Sequence, residues 1–224
     1  MSGASQEGGG TQAAATTSQQ LAELSRLGSA TVYEAGGRSG YIDADLFQAV
    51  PGSRAAGPAR TVVCAQDDNL MVHAVMPEVQ PGEVIVLTMP KPRPVALVGD
   101  LLATQAQVAG AAAILVDASI RDVEELAEMG LPIWARWVRV KGALKETAGE
   151  LNVPVTVGGA TINPGDVLVL DADGVAVVPQ DRVAEVLAAS LAREENERVK
   201  REKLQAGAKS YELDGLRAVV EAQR

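Results

Sequence analysis

Two short runs of aliphatic residues, at 94–98 and 111–116, each precede a polar signature: Gly99-Asp100-Leu101-Leu102 after the first, and Ile120-Arg121-Asp122 after the second. Apolar runs of this length read as buried strands. The segment 101–109 carries three alanines and two leucines, so it favours a helix whose first turn holds Asp100. The stretch 117–122 then leads into a second short helix, with Glu124 and Glu125 near its start. Parallel strands require helical crossovers of this kind, and open α/β sheets gather their polar chemistry beyond the carboxyl ends of the strands. Two carboxylates and a guanidinium therefore fall at the ends of neighbouring α/β units, where a site is expected.

A length of 224 residues allows one substantial core but is short for two enzyme domains. The expected layout is a flexible segment at 1–17, one α/β domain over 18–207 that includes a C-terminal helix, and a tail over 208–224. Hydrophobic residues make up 47% of the chain and aromatics only 3%, which implies an aliphatic core and no stacking platform for nucleic acid. A formal charge of -9 argues further against binding a phosphate backbone. It leaves room for a small anion, because one arginine, a metal and helix amides can reverse the field inside a cleft. The lone Cys64, set in an apolar run, reads as a buried thiol in a reducing compartment. With no basic-apolar leader and no run long enough to span a bilayer, a cytoplasmic protein without membrane partners is expected.

Helical spacing marks 18–27, and Ser29 or Thr31 can cap a second helix before Gly36, Gly37 and Gly40 end it. Strand character returns at 60–64 and 82–89, with a helix begun by Asp67-Asp68-Asn69 and running through His73 and Met76 between them. Further on, 131–138, 153–157, 167–170 and 175–178 read as strands, joined in part by the turns Asn163-Pro164-Gly165-Asp166 and 171–174. From residue 180 an apolar stripe fades into a charged helix.

Each chemically suggestive residue has a plain reading beside it. Arg121-Asp122 is a salt-bridged helix cap, or an arginine fork for a carboxylate beside a hard oxygen ligand for Mg²⁺ or Mn²⁺. Asp100 caps its helix or orients water around an ion, and the Leu101 and Leu102 amides are placed to receive an oxyanion. The sole histidine, His73, is a satisfied helix residue or a substrate contact. Glu34 beside a glycine-rich bend reads equally as a functional rim or a solvated helix face, whereas Glu197 among Glu194 and Glu195 reads first as a solvated charged helix face. No Gly-x-Gly-x-x-Gly fingerprint, phosphate loop or Gly-x-Ser-x-Gly elbow occurs, and the lysines lie in polar sequence. Nucleotide and Schiff-base cofactors are thus not expected, which leaves metal chemistry as the catalytic route.

Over residues 29–207 the chain resembles the divalent-metal-dependent pyruvate aldolases typified by 4-hydroxy-4-methyl-2-oxoglutarate / 4-carboxy-4-hydroxy-2-oxoadipate aldolase, a family that includes the regulator of ribonuclease E activity A. The resemblance lies in Thr31-Val32-Tyr33-Glu34-Ala35, Asp68-Asn69-Leu70-Met71-Val72-His73, Gly99-Asp100-Leu101-Leu102, Ile120-Arg121-Asp122, Pro164-Gly165-Asp166-Val167 and Asp171-Ala172-Asp173-Gly174-Val175. It implies a β/β/α layered α/β fold similar to phosphohistidine swivelling domains, assembled as a homotrimer or a dimer of trimers with sites between subunits. It further implies that Asp122 ligates Mg²⁺ or Mn²⁺ directly and Asp100 through water. Arg121 and the Gly99-to-Leu102 backbone would bind the 2-keto acid, with Glu34 and Glu197 entering from an adjacent subunit. The expected reaction is retro-aldol cleavage to pyruvate and a second 2-keto acid. Oxaloacetate decarboxylation, or a non-enzymatic role binding a ribonuclease, are the alternatives.

Overall fold

The computed structural model describes residues 16–224. Most of the expected flexible segment at 1–17 therefore lies outside the described residues. Helices α1 (Ser18–Leu27) and α2 (Ser29–Ala35) open the chain, followed by β1 (Phe47–Gln48) and the long strand β2 (Ala55–Val63). An α/β run comes next: α3 (Leu70–Val75), β3 (Val84–Thr88), β4 (Ala96–Val98), α4 (Asp100–Val108), β5 (Ala113–Ile120), α5 (Val123–Met129) and β6 (Ile133–Val138). The remainder comprises β7 (Glu150–Leu151), β8 (Val155–Val157), β9 (Ala160–Ile162), β10 (Val167–Asp171), β11 (Gly174–Val178), α6 (Val183–Gln205), α7 (Ser210–Leu213) and α8 (Leu216–Glu221).

Strands β6, β5, β3 and β2 run parallel in that spatial order, and β4 pairs with the far end of β5. Strand β2 is long enough to serve two neighbourhoods. Its first half bonds antiparallel to β10, from Ala55↔Leu170 to Pro58↔Val167, and its second half bonds parallel to β3, from Ala59↔Val84 to Val63↔Thr88. The sheet curls where these halves meet. Three apolar layers result. One packs α3, α4 and α5 against one face of the parallel strands, through Leu97, Leu102, Ile114, Leu126 and Ile133. A second lies between the other face and β8 to β11, around Val86, Leu115, Trp134, Ile162 and Leu168. The third seats α1, α2 and α6 on the outer side of β10 and β11. Each fully buried Leu, Ile or Val in these layers contributes about 1.5–3 kcal/mol of transfer free energy. This layered α/β architecture matches the expected class. Among the described residues, no helix is long and apolar enough to cross a membrane.

Local departures from the sequence expectations have physical causes. Residues 117–122 lead into helix α5 as expected, but residues 117–120 first prolong strand β5, where burial of Asp117 is partly offset by the guanidinium of Arg136 on neighbouring β6. Helix α2 is capped by neither Ser29 nor Thr31. Gly28 occupies the cap position, and Asp171 accepts hydrogen bonds from Ser29 N (2.8 Å) and Ser29 Oγ (2.6 Å). The helix expected through Met76 tightens at that residue into a 3₁₀ turn over Met76–Glu78, with Pro77 inside it. Cys64 is buried as expected, and desolvation together with the nearby Asp68 carboxylate pushes its thiol up to about 12.

Candidate active site

The two signatures meet because β4 and β5 are hydrogen-bonded neighbours, so the turns that leave their carboxyl ends lie side by side. Gly99 precedes α4, and the first helical bond runs from Ala103 N to Gly99 O, leaving the Asp100, Leu101 and Leu102 amides without helical partners. Asp122 Oδ2 accepts from Asp100 N at 3.2 Å. Asp122 therefore caps the neighbouring helix α4 and makes no side-chain cap on its own helix α5. Its backbone sits at φ 58° and ψ 43°, the left-handed region that short polar side chains enter most readily among non-glycine residues. Such a conformation persists where its surroundings hold it, and it often marks a functional turn.

Space at this junction is set by Gly99. A Cβ there would stand 2.3 Å from Asp122 Oδ2 and 3.1 Å from Arg121 Nε, so any other residue would displace the carboxylate. Arg121 Nε lies 3.5 Å from Asp122 Oδ2, and the Arg121 side chain remains half exposed, free to meet an anion. On its far side, a Cβ at Gly142 would come 3.0 Å from Arg121 Nη1. The arginine is thus threaded between two backbones that glycine keeps close.

These residues line a cleft of about 110 Å³ whose walls include Asn69, His73, Gly99, Asp100, Leu101, Leu102, Arg121 and Lys145. Asp68 ties the loop carrying Lys145 to the start of α3: Oδ1 accepts from Leu70 N (2.7 Å), and Oδ2 accepts from Glu146 N (2.7 Å) and Thr147 N (3.0 Å). Burial pushes the Asp68 carboxyl up, but those three amides more than compensate and leave it below its ordinary value. His73 is held neutral more firmly than a free imidazole, first by burial and then by the Lys145 charge. A larger hollow of about 310 Å³ opens elsewhere, bordered by Tyr41, Phe47, Trp134 and Asp173. The Trp134 indole there is already satisfied by Asp171 O at 2.9 Å, so that hollow offers bulk without convergent unsatisfied groups.

The structure brings Gly99, Asp100, Leu101, Leu102, Arg121, Asp122 and His73 together, and it does not bring Glu34 and Glu197 to them. Those two meet each other across α2 and α6, where Arg193 lies 3.8 Å from Glu34 and 2.8 Å from Glu197 while Arg38 bonds Glu34 at 3.0 Å. Sequence reasoning passed over Asn69 and Lys145 as cleft residues. Asn69 stood in view as a helix-start residue, but its reach to β4 depends on long-range packing: Asn69 Nδ2 donates to Leu97 O at 2.9 Å. Among the described residues no three His, Cys, Asp or Glu side chains converge on one point. The donor set instead offers one carboxylate, Asp122, with Oδ2 engaged and Oδ1 free of hydrogen bonds among the described residues. A single hard oxygen in a solvated setting suits an ion that keeps most of its waters, as Mg²⁺ does.

A layered α/β fold thus places free helix amides, an arginine fork and a carboxylate together at one strand end, groups whose chemistry suits a small oxyanion. The chain belongs to the RraA-like family, described as Aldolase/RraA, whose model matches residues 21–177. It is 40% identical over 131 residues to a protein of Halalkalibacterium halodurans named "Putative 4-hydroxy-4-methyl-2-oxoglutarate aldolase", a match covering 58% of this chain and 62% of that one. The chain thus spans about three-fifths of the length of that curated relative. Among solved structures it is similar to an uncharacterized protein from Pseudomonas syringae pv. tomato, with a TM-score of 0.79, 26% identity, and 89% and 94% of the two chains covered. It is also similar to Streptomyces coelicolor RraAS2, described as an unusual member of the RNase ES inhibitor RraA protein family. That likeness has a TM-score of 0.74 and 31% identity, and covers 84% of this chain and 98% of the other.

Proposed function

We propose that this protein is a divalent-metal-dependent lyase that cleaves 4-hydroxy-4-methyl-2-oxoglutarate or 4-carboxy-4-hydroxy-2-oxoadipate to pyruvate and a second 2-keto acid. The observation that carries this reading is the junction of Gly99, Arg121 and Asp122, where a carboxylate with one free oxygen and a half-exposed guanidinium face the unpaired amides of α4. Asp122 would hold Mg²⁺ or Mn²⁺ directly and Asp100 through water. When bound, the ion supplies Lewis acidity to the 2-oxo acid and lowers the cost of its enolate.

The chain's own groups account for the rest. The Leu101 and Leu102 amides hold the carboxylate end of the substrate, and Arg121 balances charge that grows on the C2 oxygen. Asp100, in the first turn of α4, positions a water that accepts the C4 hydroxyl proton. As that proton leaves, the C3–C4 bond breaks, C4 becomes the carbonyl of the second keto acid, and the bond's electron pair passes into the C2–C3 enolate. A proton returned to C3 completes pyruvate. Oxaloacetate would lose CO₂ from its C4 carboxylate to give the same enolate, so decarboxylation is a second activity of the same site.

The test is pyruvate release from both 4-hydroxy-2-oxo acids and from oxaloacetate, with Mg²⁺ or Mn²⁺ and again after chelation, compared with the metal alone. Release that needs both protein and metal supports the reading. Turnover of none of the three, together with stoichiometric capture of a ribonuclease, would favour a non-enzymatic regulator instead. Glu34 and Glu197 would complete a neighbouring subunit's site in a trimer or paired trimers.

A further inference from the structure

Residues 129–145 carry Arg136, Arg139, Lys141 and Lys145 without a single acidic residue, in a chain whose formal charge is -9. Asp117 claims Arg136. Lys145 is exposed, and among the described residues it has no ion-pair partner. It lines the same cleft as Arg121 and the start of α4. The backbone that carries it is pinned on both sides. Leu144 N donates to Asp67 O at 2.9 Å and Leu144 O accepts from Asn69 N at 2.8 Å, while Glu146 N and Thr147 N donate to Asp68. Earlier in the same loop, Lys141 O accepts from Ala96 N at 2.8 Å, and Gly142 is packed against Arg121. The loop therefore runs from the arginine to the α3 wall, where the Lys145 charge is close enough to lower the basicity of His73, adding to the larger effect of burial. Only the lysine side chain is left to move.

Two cations from different elements thus face one small space. The cleft, at about 110 Å³, is well below the roughly 300–1,000 Å³ of a site for drug-sized ligands, so it suits a short chain. Arg121 and the α4 amides serve one end of such a ligand. The second cation matches a second anionic group further along it, and an ammonium held over a cleft is a point charge that accepts a carboxylate in many orientations. We infer that Lys145 is a specificity residue for the far end of the substrate: its ammonium pairs with a carboxylate on C4, so that the cleft takes 4-hydroxy-2-oxo diacids in preference to monoacids of the same length. This rests on the aldolase reading above and adds to it the residue that recognises the part of the substrate remote from pyruvate. The carboxylate keeps its charge as the C3–C4 bond breaks, so Lys145 binds ground state and transition state alike and acts through KM more than through kcat.

Two substrates isolate the far group, since 4-hydroxy-2-oxoglutarate and 4-hydroxy-2-oxopentanoate differ only by a carboxylate or a methyl on C4. Lys145→Gln should lower the ratio of their kcat/KM values by about 10-fold, through a raised KM for the diacid with kcat little changed, while Lys145→Arg keeps most of the ratio. Equal losses on both substrates, a loss confined to kcat, or no loss would overturn the assignment. A second measurement does not need turnover. With Mg²⁺ present, calorimetry of the wild-type protein should show 2-oxoglutarate binding about 10-fold more tightly than 2-oxopentanoate. Lys145→Gln should abolish that preference and leave the affinity for pyruvate, which has no second carboxylate, as it was. Equal affinities in the wild type, a preference that survives Lys145→Gln, or no binding of either compound would overturn the inference. A Lys145-dependent preference without turnover of any substrate would leave the diacid subsite standing and remove the aldolase reading. Turnover without the preference would do the reverse.

Discussion

The cleft at the ends of β4 and β5 and the acidic cluster on α2 and α6 contain similar residue types, yet they are built in opposite ways. In the cleft, Asp122 is fixed by a backbone amide, by a left-handed backbone and by the closeness of Gly99, and one oxygen remains free. Asn69 and His73 beside it keep unsatisfied atoms. In the acidic cluster the carboxylates are paired, Glu34 with Arg38 and Glu197 with Arg193, although Arg193 Nε is itself buried without a partner among the described residues. Those side chains are partly exposed and sit on long rotamers, and such pairs are held weakly. The first region is organised before a ligand arrives. The second is free to rearrange, which is what a contribution to a neighbouring copy's site would require.

The largest effect should come from breaking the fixed region at its anchor. Asp122→Asn keeps the side-chain shape and a residue tolerant of the left-handed backbone but removes the anionic oxygen, so pyruvate release should fall by at least about 100-fold while the fold and assembly persist. Retained activity would show that the carboxylate is only a cap for α4. Gly99→Ala tests the same point through space alone, since a Cβ 2.3 Å from Asp122 Oδ2 must move that oxygen. A loss of about 10- to 100-fold is expected, because displacements near 1 Å can cost that much. Steady-state kinetics beside circular dichroism would separate it from unfolding.

A smaller effect is expected from Asp68, which holds the loop carrying Lys145. Removing its charge in Asp68→Asn weakens up to three bonds and should destabilise the protein by about 1–3 kcal/mol, read from denaturant unfolding. Its carboxyl lies below the ordinary value in the folded state, so its stabilisation is fully present above the unfolded value near pH 4 and is lost as pH falls through the lower folded value. The wild-type protein should therefore lose stability more steeply than Asp68→Asn as pH drops through that window. Equal slopes would remove Asp68 from the account.

The smallest and most discriminating effect concerns the adjustable region. Glu197→Gln should reduce activity only if α6 reaches a neighbouring site. Mixed oligomers of inactive Asp122→Asn and inactive Glu197→Gln chains should then recover part of the activity by pairing an intact Asp122 with an intact Glu197. With subunit exchange verified, no recovery from two inactive, correctly assembled parents would confine Glu197 to its own subunit.

Much of this molecule was legible along the chain, because strand and helix are written in local periodicity. The apolar runs before Gly99 and within 111–116 marked β4 and β5, and the alanine- and leucine-rich 101–109 marked α4. Gly99, Asp100, Arg121 and Asp122 could be placed at strand ends on that basis alone, as could the turns into β10 and β11. What the sequence could not show was partnership. That Asp122 caps α4 and leaves α5 uncapped follows from the pairing of β4 with β5. Likewise Asp117 can stay in its strand only because Arg136 arrives from β6. Asn69 reaches β4 only through long-range packing, its amide nitrogen donating to Leu97 O. The periodicity of a sequence determines which face of each element is apolar. Which polar atoms meet, and which are left unpaired, is decided by the register of elements far apart in the chain, since a hydrogen bond depends on distances of a few tenths of an ångström that no local pattern encodes.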